Sequence, residues 1–552
     1  MPAARVYYTQ IVVRHLRLLS LLALSIAVLP AADQRLIDAV KSADIKAVRS
    51  LLQQHADVNA TEADGFTALH WAAQRDNLEI ADLLLAAGAN VKAASRYNIT
   101  PLALACTNGD AALIDRFLKA GADANATSEQ GQTALMTAAL TGKVDAVKLL
   151  LVHGAAVNTK EPWKGQTALM WAVSEGNADA AGMLIEFGAE VNAKSNSGFT
   201  PFLFAVRNGH IDAAKVLLAH GANVNDAAPD GTSALGMAAI NAYYELAVVL
   251  LDHGANPNAP DPRGSVLHSL AWMRRPGSSP SAGAGGPPLG PPVQQGKVDS
   301  LELAKALLDH GANPNVRVAW KEIKYNRDFG QVKLPPDVPI GRKYISYVGA
   351  TPFYIAAQSG DAAYMRVLAA GGADPKMPTV QNITPLMAAA GIGYWDGESP
   401  GPYAGCPESE RLDAVKVALE LGNEINAHAD FGEYPIEGDG RYLLLNYPLN
   451  INNMPPNALG DVRWSGATAL HGAVVSGQIT IVKYLIDHGA QVDAKSRLGW
   501  TPLMLAGGVF VSNTKKEFPE IAVLLKKEMA ARGIPVPQAT SAALGSESPS
   551  SK

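Results

Sequence analysis

The 552-residue sequence contains little cysteine, few aromatic residues and no excess of basic charge. Two cysteines exclude a fold held together by many disulfides and any metal cluster with several cysteine ligands. A formal net charge of −5 argues against a general nucleic-acid binder, whose binding face is normally basic. Aromatic residues make up 6% of the chain, but 48% is apolar, so the chain as a whole is not disordered.

Glycine is abundant, and the 50 glycines form part of a pattern that repeats every 33 residues. One motif contains Thr67 within Asp-Gly-Phe-Thr-Ala-Leu-His-Trp-Ala-Ala, and a second, a variant of Gly-Ala-Asn-Val-Asn, closes each unit. Two motifs that recur at one period predict an array of short structural units. Residues equivalent to Thr67 occur at Thr100, Thr133, Thr167, Thr200, Ser233, Ser265, Thr351, Thr384, Thr468 and Thr501.

Each unit carries the signals of two short helices. The Thr precedes apolar residues spaced like Leu69, Ala72 and Ala73, so it can cap a helix that buries one face. Proline often follows the Thr, as at Pro101, and proline is tolerated in the first turn of a helix. A turn containing glycine leads to the second helix, and a further glycine suits the left-handed position that ends it.

The period and the two motifs together resemble the ankyrin repeat family. This resemblance implies an all-α solenoid of about twelve stacked ankyrin-type repeats, each a helix-turn-helix with a β-hairpin finger, over most of residues 33–533. Such units cannot bury their apolar face alone, so their stability comes from stacking against neighbours. Trp71, Trp171 and Phe204 occupy one helix position in different repeats and are therefore predicted to belong to the core.

Residues 1–31 have the composition of a secretory signal segment, with three arginines, no acidic residue and an apolar core from Leu18 to Leu29. This core is shorter than the roughly 20 residues that span a bilayer. We therefore expect an exported protein, periplasmic or extracellular, that has no membrane contact after signal cleavage. The alternatives are a membrane-anchored protein with an uncleaved signal and an intracellular protein with a false signal.

Longer steps between the repeated threonines predict where insertions interrupt the array. We expect two repeat stacks separated by an insertion that is basic and aromatic, and a tail rich in Pro, Ser and Ala that is disordered. The expected segments are the signal at 1–31, an N-terminal stack at 33–317 with a flexible Pro/Gly loop at 275–297, the insertion at 318–348, a C-terminal stack at 349–533 with insertions at 392–407 and 432–464, and the tail at 534–552.

Motifs that would indicate catalysis or metal binding are missing from the sequence. There is no His-Glu-x-x-His, P-loop, dinucleotide-binding or nucleophile-elbow pattern. Ten of the 12 histidines occupy repeat positions, which favours a structural role. Cys106 lies in an apolar helical context and is predicted to be a small buried residue. We expect no enzymatic activity, no cofactor and no metal site.

The resemblance places partner contacts at the finger tips and at the adjoining part of each first helix. Exposed aromatic and arginine side chains are typical anchors of protein interfaces, although a tip aromatic could equally pack on the neighbouring finger. The candidate partner-binding residues are Phe66, Tyr97, Trp163, Phe199 and Trp500 at the tips, and Arg75, Asn108 and Arg207 in the helix positions.

Our leading hypothesis is an exported, non-enzymatic ankyrin-repeat scaffold that mediates protein–protein interaction through its finger tips and concave helix face. We expect a monomer that binds an unknown protein partner and no nucleic acid. The alternative hypothesis is an enzyme or ligand-binding protein whose site is built from the insertions, with aromatics such as Trp395 and Trp464. The sequence does not identify the partner, because one scaffold can serve unrelated targets.

Overall fold

The computed structural model describes residues 32–261, 264–275, 293–318, 349–392, 407–430, 465–497, 499–508, 510–511, 514–515 and 517–536. Contacts divide the chain into two units. Unit 1 comprises residues up to 163 together with 186–189, and unit 2 comprises 164–185 together with the residues from 190 onward.

The predicted all-α repeat solenoid is confirmed, since paired helices joined by short turns make up both units. The helices of unit 1 are α1 (Ala32–Lys41), α2 (Ile45–Gln53), α3 (Ala68–Gln74), α4 (Leu78–Ala86), α5 (Pro101–Asn108), α6 (Ala111–Lys119), α7 (Ala134–Thr141) and α8 (Val144–Val152). The expected number of about twelve repeats and the expected segment boundaries stay predictions.

Unit 2 continues the same alternation and also contains one short antiparallel pair of strands, β1 (Phe510–Val511) and β2 (Thr514–Lys515). Its helices are α9 (Ala168–Ser174), α10 (Ala178–Glu186, whose last residue belongs to unit 1), α11 (Pro201–Asn208), α12 (Ile211–Ala219), α13 (Ala234–Ile240), α14 (Tyr244–Asp252), α15 (Val266–Arg274), α16 (Ser300–Asp309), α17 (Pro352–Gln358), α18 (Ala362–Ala370), α19 (Pro385–Ala390), α20 (Glu408–Glu420), α21 (Ala469–Val475), α22 (Ile479–Asp487), α23 (Pro502–Ala506) and α24 (Pro519–Ala531).

In each described pair after α1 and α2, the repeated Thr or Ser is the N-cap of the first helix, as its position in the motif predicts. Thr100 Oγ1 accepts a hydrogen bond from Ala103 N at 3.2 Å, and Pro101 occupies the first helical position. At Thr67 the cap is reciprocal, because His70 Nδ1 accepts from the backbone N–H of Thr67 at 3.1 Å. These caps satisfy amide groups that would otherwise lack partners, which matters most in such short helices.

Small apolar residues form the core between neighbouring repeats. Ala72, Ala73 and Leu84 are fully buried in unit 1, as are Ala205 and Leu217 in unit 2. In unit 1 the first helices α1, α3, α5 and α7 pack in series, and in unit 2 each first helix from α9 to α23 packs on the next. Alanine at these positions allows the helices to approach closely, so the array needs few large aromatic residues.

An asparagine ladder joins successive repeats at the base of the fingers. In unit 1, Asn125 Nδ2 donates to Gly154 O at 3.0 Å, while Asn125 Oδ1 accepts from Ala156 N at 2.7 Å. In unit 2 the ladder spans the insertions, since Asn315 Nδ2 bonds Gly372 O at 3.0 Å over a separation of 57 residues. Repeats on either side of an insertion therefore remain stacked.

The longer insertions occur at two kinds of position in the sequence. The residues that flank segment 319–348 belong to one finger, because Val318 N donates to Ala350 O at 2.9 Å, and Ala429 N likewise donates to Ala467 O at 2.9 Å on either side of segment 431–464. Segments 276–292 and 393–406 instead connect the first helix of a pair with the second. All four segments, with residues 1–31 and 537–552, lie outside the described residues, and so do Trp395, Cys406 and Trp464.

Candidate protein-binding surface

Hydrogen bonds between adjacent fingers fix the backbone at the tips. In unit 1, Arg96 N donates to Asp64 O at 2.7 Å and Glu129 N donates to Tyr97 O at 3.0 Å. The same contact recurs in unit 2, where Asn196 N donates to Lys164 O at 2.8 Å. Side chains at the tips are therefore presented from a rigid backbone, which lowers the entropic cost of binding.

Two of the predicted tip aromatics in unit 1 are exposed and one is packed. Tyr97 is 52% exposed and Trp163 is 78% exposed. The backbone at Trp163 is held by the buried carboxylate of Glu161, whose Oε2 accepts from Trp163 N at 2.8 Å. Phe66 is half-buried, with its ring 4.9 Å from that of His70. Tyr97 and Trp163 thus present large aromatic side chains at the surface.

A polar cluster surrounds the half-buried ring of Trp71. Trp71 Nε1 donates to Glu62 Oε2 at 2.6 Å, and Lys41 Nζ pairs with Glu62 Oε1 at 2.5 Å. Lys41 Nζ also lies 4.4 Å from the Trp71 ring centroid, and the centroids of the Phe66 and Trp71 rings are 5.6 Å apart. The prediction of Trp71 as a core residue missed this cluster, because Lys41 lies at the end of α1, outside both repeated motifs.

The two helix-position candidates of unit 1 have different environments. Arg75 is exposed at the end of α3. Asn108 is also exposed, but its Nδ2 donates to Ala73 O at 3.0 Å and to Gln74 O at 3.3 Å. Asn108 therefore braces α5 against the end of α3, in addition to any contact with a partner.

In unit 2 the structure brings Phe199 and Arg207 together. The guanidinium carbon of Arg207 lies 5.5 Å from the Phe199 ring centroid and 5.4 Å from that of Phe204. Asn208 donates to Ser174 O at 2.8 Å, so it is Asn208, and not Arg207, that corresponds to Asn108. Arg207 therefore lies one residue before the position equivalent to Asn108, and its side chain is exposed.

The last candidate, Trp500, is half-buried in the finger before α23. Its carbonyl oxygen is 3.0 Å from Nε2 of the buried His471, and its amide donates to Ser496 Oγ at 3.2 Å. Trp500 therefore has a fixed backbone and a partly accessible side chain.

Three buried histidines, His70, His268 and His471, connect a Thr or Ser cap to the next finger. In His268, Nδ1 lies 2.8 Å from Ser265 Oγ and Nε2 lies 3.1 Å from Ala350 O. Burial lowers the pKa of His268 and of His471 to about 4 and also lowers the pKa of His70. Neutral imidazoles bonded at both nitrogens act here as structural links.

Unit 2 also contains a buried ion-pair cluster that the sequence reasoning missed. Asp361 is almost fully buried and accepts from Arg274 Nε at 2.7 Å and from Arg274 Nη2 at 3.2 Å. Arg275 Nη1 pairs with Glu410 at 2.5 Å, and the Arg274 guanidinium lies 5.5 Å from the Tyr364 ring. These residues belong to three different helix pairs and to no repeated motif, so the period gave no signal for them.

Other chemically active groups are scarce in the described part of the chain. Cys106 is fully buried, and burial raises the pKa of its thiol to about 12, which makes it a poor nucleophile. No group of three or more His, Cys, Asp or Glu side chains among the described residues could hold a metal ion.

Comparison with known proteins gives a family match and several partial relatives. The family described as ankyrin repeats (3 copies) matches residues 36–128, 102–195, 189–261 and 440–508. Protein phosphatase 1 regulatory subunit 27 of Homo sapiens is 43% identical over 49 residues, which are 9% of this chain and 32% of that protein.

Two further relatives match over similarly short stretches. Notch-regulated ankyrin repeat-containing protein A of Danio rerio is 34% identical over 63 residues, 11% of this chain and 49% of the relative. Potassium channel AKT1 of Oryza sativa subsp. indica is 46% identical over 50 residues, 8% of this chain and 5% of the channel. The chain thus spans less than half of each of these three relatives.

Proposed function

The chain belongs to the ankyrin repeat family, and from this premise we propose that it is an exported, non-enzymatic scaffold that binds a partner protein through its finger tips and concave helix face. Ankyrin repeats indicate a protein-interaction scaffold, and one relative is named as a regulatory subunit. Both observations support interaction and not catalysis as the role of this chain. The protein acts as a monomer, without a cofactor and without binding nucleic acid.

The observation that carries this proposal is the combination of a rigid finger backbone with exposed aromatic side chains. Tyr97 is 52% exposed, although its carbonyl is bonded to Glu129 N of the next finger. Large aromatic side chains supply much of the binding energy in protein interfaces. Their exposure in a domain with an alanine-rich core supports a binding role.

Binding can be tested by capture of partners from the exported fraction with the mature protein. We expect the combined variant Phe66→Ala, Arg75→Ala, Tyr97→Ala and Phe199→Ala to lose the captured partner. A matched control is Val152→Ala, which removes an exposed apolar side chain from a second helix. Thermal unfolding of both variants separates lost binding from lost folding. Unchanged capture by the folded combined variant would show that these four residues do not bind the partner.

Export is supported by the arginines and the apolar core of residues 1–31. We expect the mature N-terminus of the protein isolated from its native cells to lie near Ala32, which N-terminal sequencing can establish. An intact N-terminus in the membrane fraction would instead support the anchored form. Among the described residues, no helix is long and apolar enough to cross a bilayer.

A further inference from the structure

The aromatic pair in unit 2 holds Arg207 in a defined place. Phe204 is 4% exposed and belongs to α11, and Phe199 is half-buried in the finger before that helix. The Phe199 backbone is fixed by Ser195, whose N–H donates to Phe199 O at 2.9 Å and whose Oγ accepts from Phe199 N at 3.1 Å. The guanidinium lies over both rings, at 5.5 Å and 5.4 Å. We call these three residues, Phe199, Phe204 and Arg207, the Arg207 platform.

Among the described residues of unit 2, no carboxylate neutralises the charge of the Arg207 platform. Arg207 is exposed, and no carboxylate in the described part of unit 2 lies within 4 Å of it. The contrast is Arg274, whose guanidinium also lies over an aromatic ring but pairs with Asp361 at 2.7 Å. A guanidinium held over aromatic rings keeps its in-plane N–H donors available for another acceptor.

This geometry favours one type of partner group. A guanidinium presents its donors as a planar fork that matches the two oxygens of a carboxylate. The partly exposed ring of Phe199 adds an apolar contact beside the fork. Because the mature chain would carry a net charge of −8, an acidic partner segment must be attracted locally, and Arg207 supplies such a local cation.

We propose that the Arg207 platform binds an Asp or Glu side chain of the partner protein, next to an apolar residue that contacts Phe199. This inference rests on the proposed scaffold function. Arg207 forms a bidentate ion pair with that carboxylate. Phe199 and Phe204 orient the guanidinium before binding, which reduces the loss of side-chain entropy.

Selection of a displayed library of random peptides against the full mature protein tests this assignment without knowledge of the natural partner. We expect peptides selected by the wild type to share an acidic residue beside an apolar one, and selections on Arg207→Gln to lack it. The matched control is Arg366→Gln, which removes the same charge from an exposed site on α18 and should retain the acidic preference. An acidic preference that persists in Arg207→Gln, or its absence from the wild-type selection, would overturn the proposal.

A double-mutant cycle on one selected peptide then measures the pair itself. Replacing the peptide Glu with Gln should weaken binding to the wild type about tenfold and binding to Arg207→Gln by less than about twofold. Equal losses on both proteins would contradict the ion pair. Selected peptides could instead lack an acidic residue and fail to bind Tyr97→Ala and Phe199→Ala. That result would support the scaffold function and contradict this assignment.

Discussion

Asn258 Nδ2 donates a hydrogen bond of 2.8 Å to the carbonyl oxygen of Gly311, although 53 residues separate the two in the sequence. The equivalent bond from Asn192 to Gly221 spans only 29 residues. The same contact thus forms whether or not segment 276–292 intervenes. Repeat stacking in unit 2 therefore depends on contacts between repeats, and insertions can vary without interrupting it.

We predict that Asn258→Ala destabilises unit 2. The substitution removes the bond to Gly311 O and also the 2.7 Å bond that Asn258 Oδ1 accepts from Asn313 N. Two such bonds should contribute about 1–3 kcal/mol, measurable as a shift of the urea midpoint. Asn192→Ala is the control, because it removes only the bond to Gly221 O, and it should cost less than Asn258→Ala. No change for Asn258→Ala would contradict a stabilising ladder.

Loss of the buried carboxylate at Asp361 should have a larger effect. Asp361→Asn leaves Arg274, whose side chain is 15% exposed, without its bidentate partner. Breaking a buried pair costs about 3–5 kcal/mol, because the remaining charge is desolvated without compensation. The control Asp413→Asn breaks the exposed pair with Lys416 and should cost less than about 1 kcal/mol. Equal urea midpoints for the two variants would refute a stabilising role of the cluster.

Features that recur in every repeat could be predicted from the sequence, whereas contacts that occur only once could not. The capping role of Thr100 and the second-helix positions followed from local rules that hold in every repeat. The register of Arg207 was predictable and was misassigned, because Asn208 follows Thr200 at the same spacing at which Asn108 follows Thr100, and its bond to Ser174 O confirms that spacing. The pairing of Arg275 with Glu410 joins residues 135 positions apart, for which a single sequence holds no signal.

Replacing glycine with alanine should destabilise the protein more at a finger tip than at a helix end. Gly65 has φ +85°, and a Cβ there would lie 3.1 Å from the backbone nitrogen of Arg96 in the next finger. Gly88 has a similar φ of +89° but has no atom within 4 Å of a built Cβ. Gly88→Ala should therefore cost about 1 kcal/mol from the backbone alone, and Gly65→Ala measurably more. Thermal unfolding measures the stability of both variants. An equal loss of stability would show that the contact between fingers does not restrict the residue at position 65.

The two strongly shifted histidines predict that unit 2 loses stability in mild acid. Burial lowers the pKa of His268 and of His471 to about 4, below the usual value of 6.5. Between these values the unfolded chain binds more protons than the folded chain, so stability falls as the pH decreases. The stabilising contribution is complete above about pH 6.5 and is lost as the pH falls to about 4, at roughly 3 kcal/mol for each histidine.

Urea unfolding at pH 7.0, 5.5 and 4.5 measures this dependence. We expect His268→Gln combined with His471→Gln to be less stable at pH 7, because the bonds to Ala350 O and Trp500 O are weakened, and to depend less on pH. His253→Gln is the control, since its imidazole is exposed and bonds only the Val249 carbonyl of its own helix. A pH dependence that is unchanged in the double variant would show that other groups cause it.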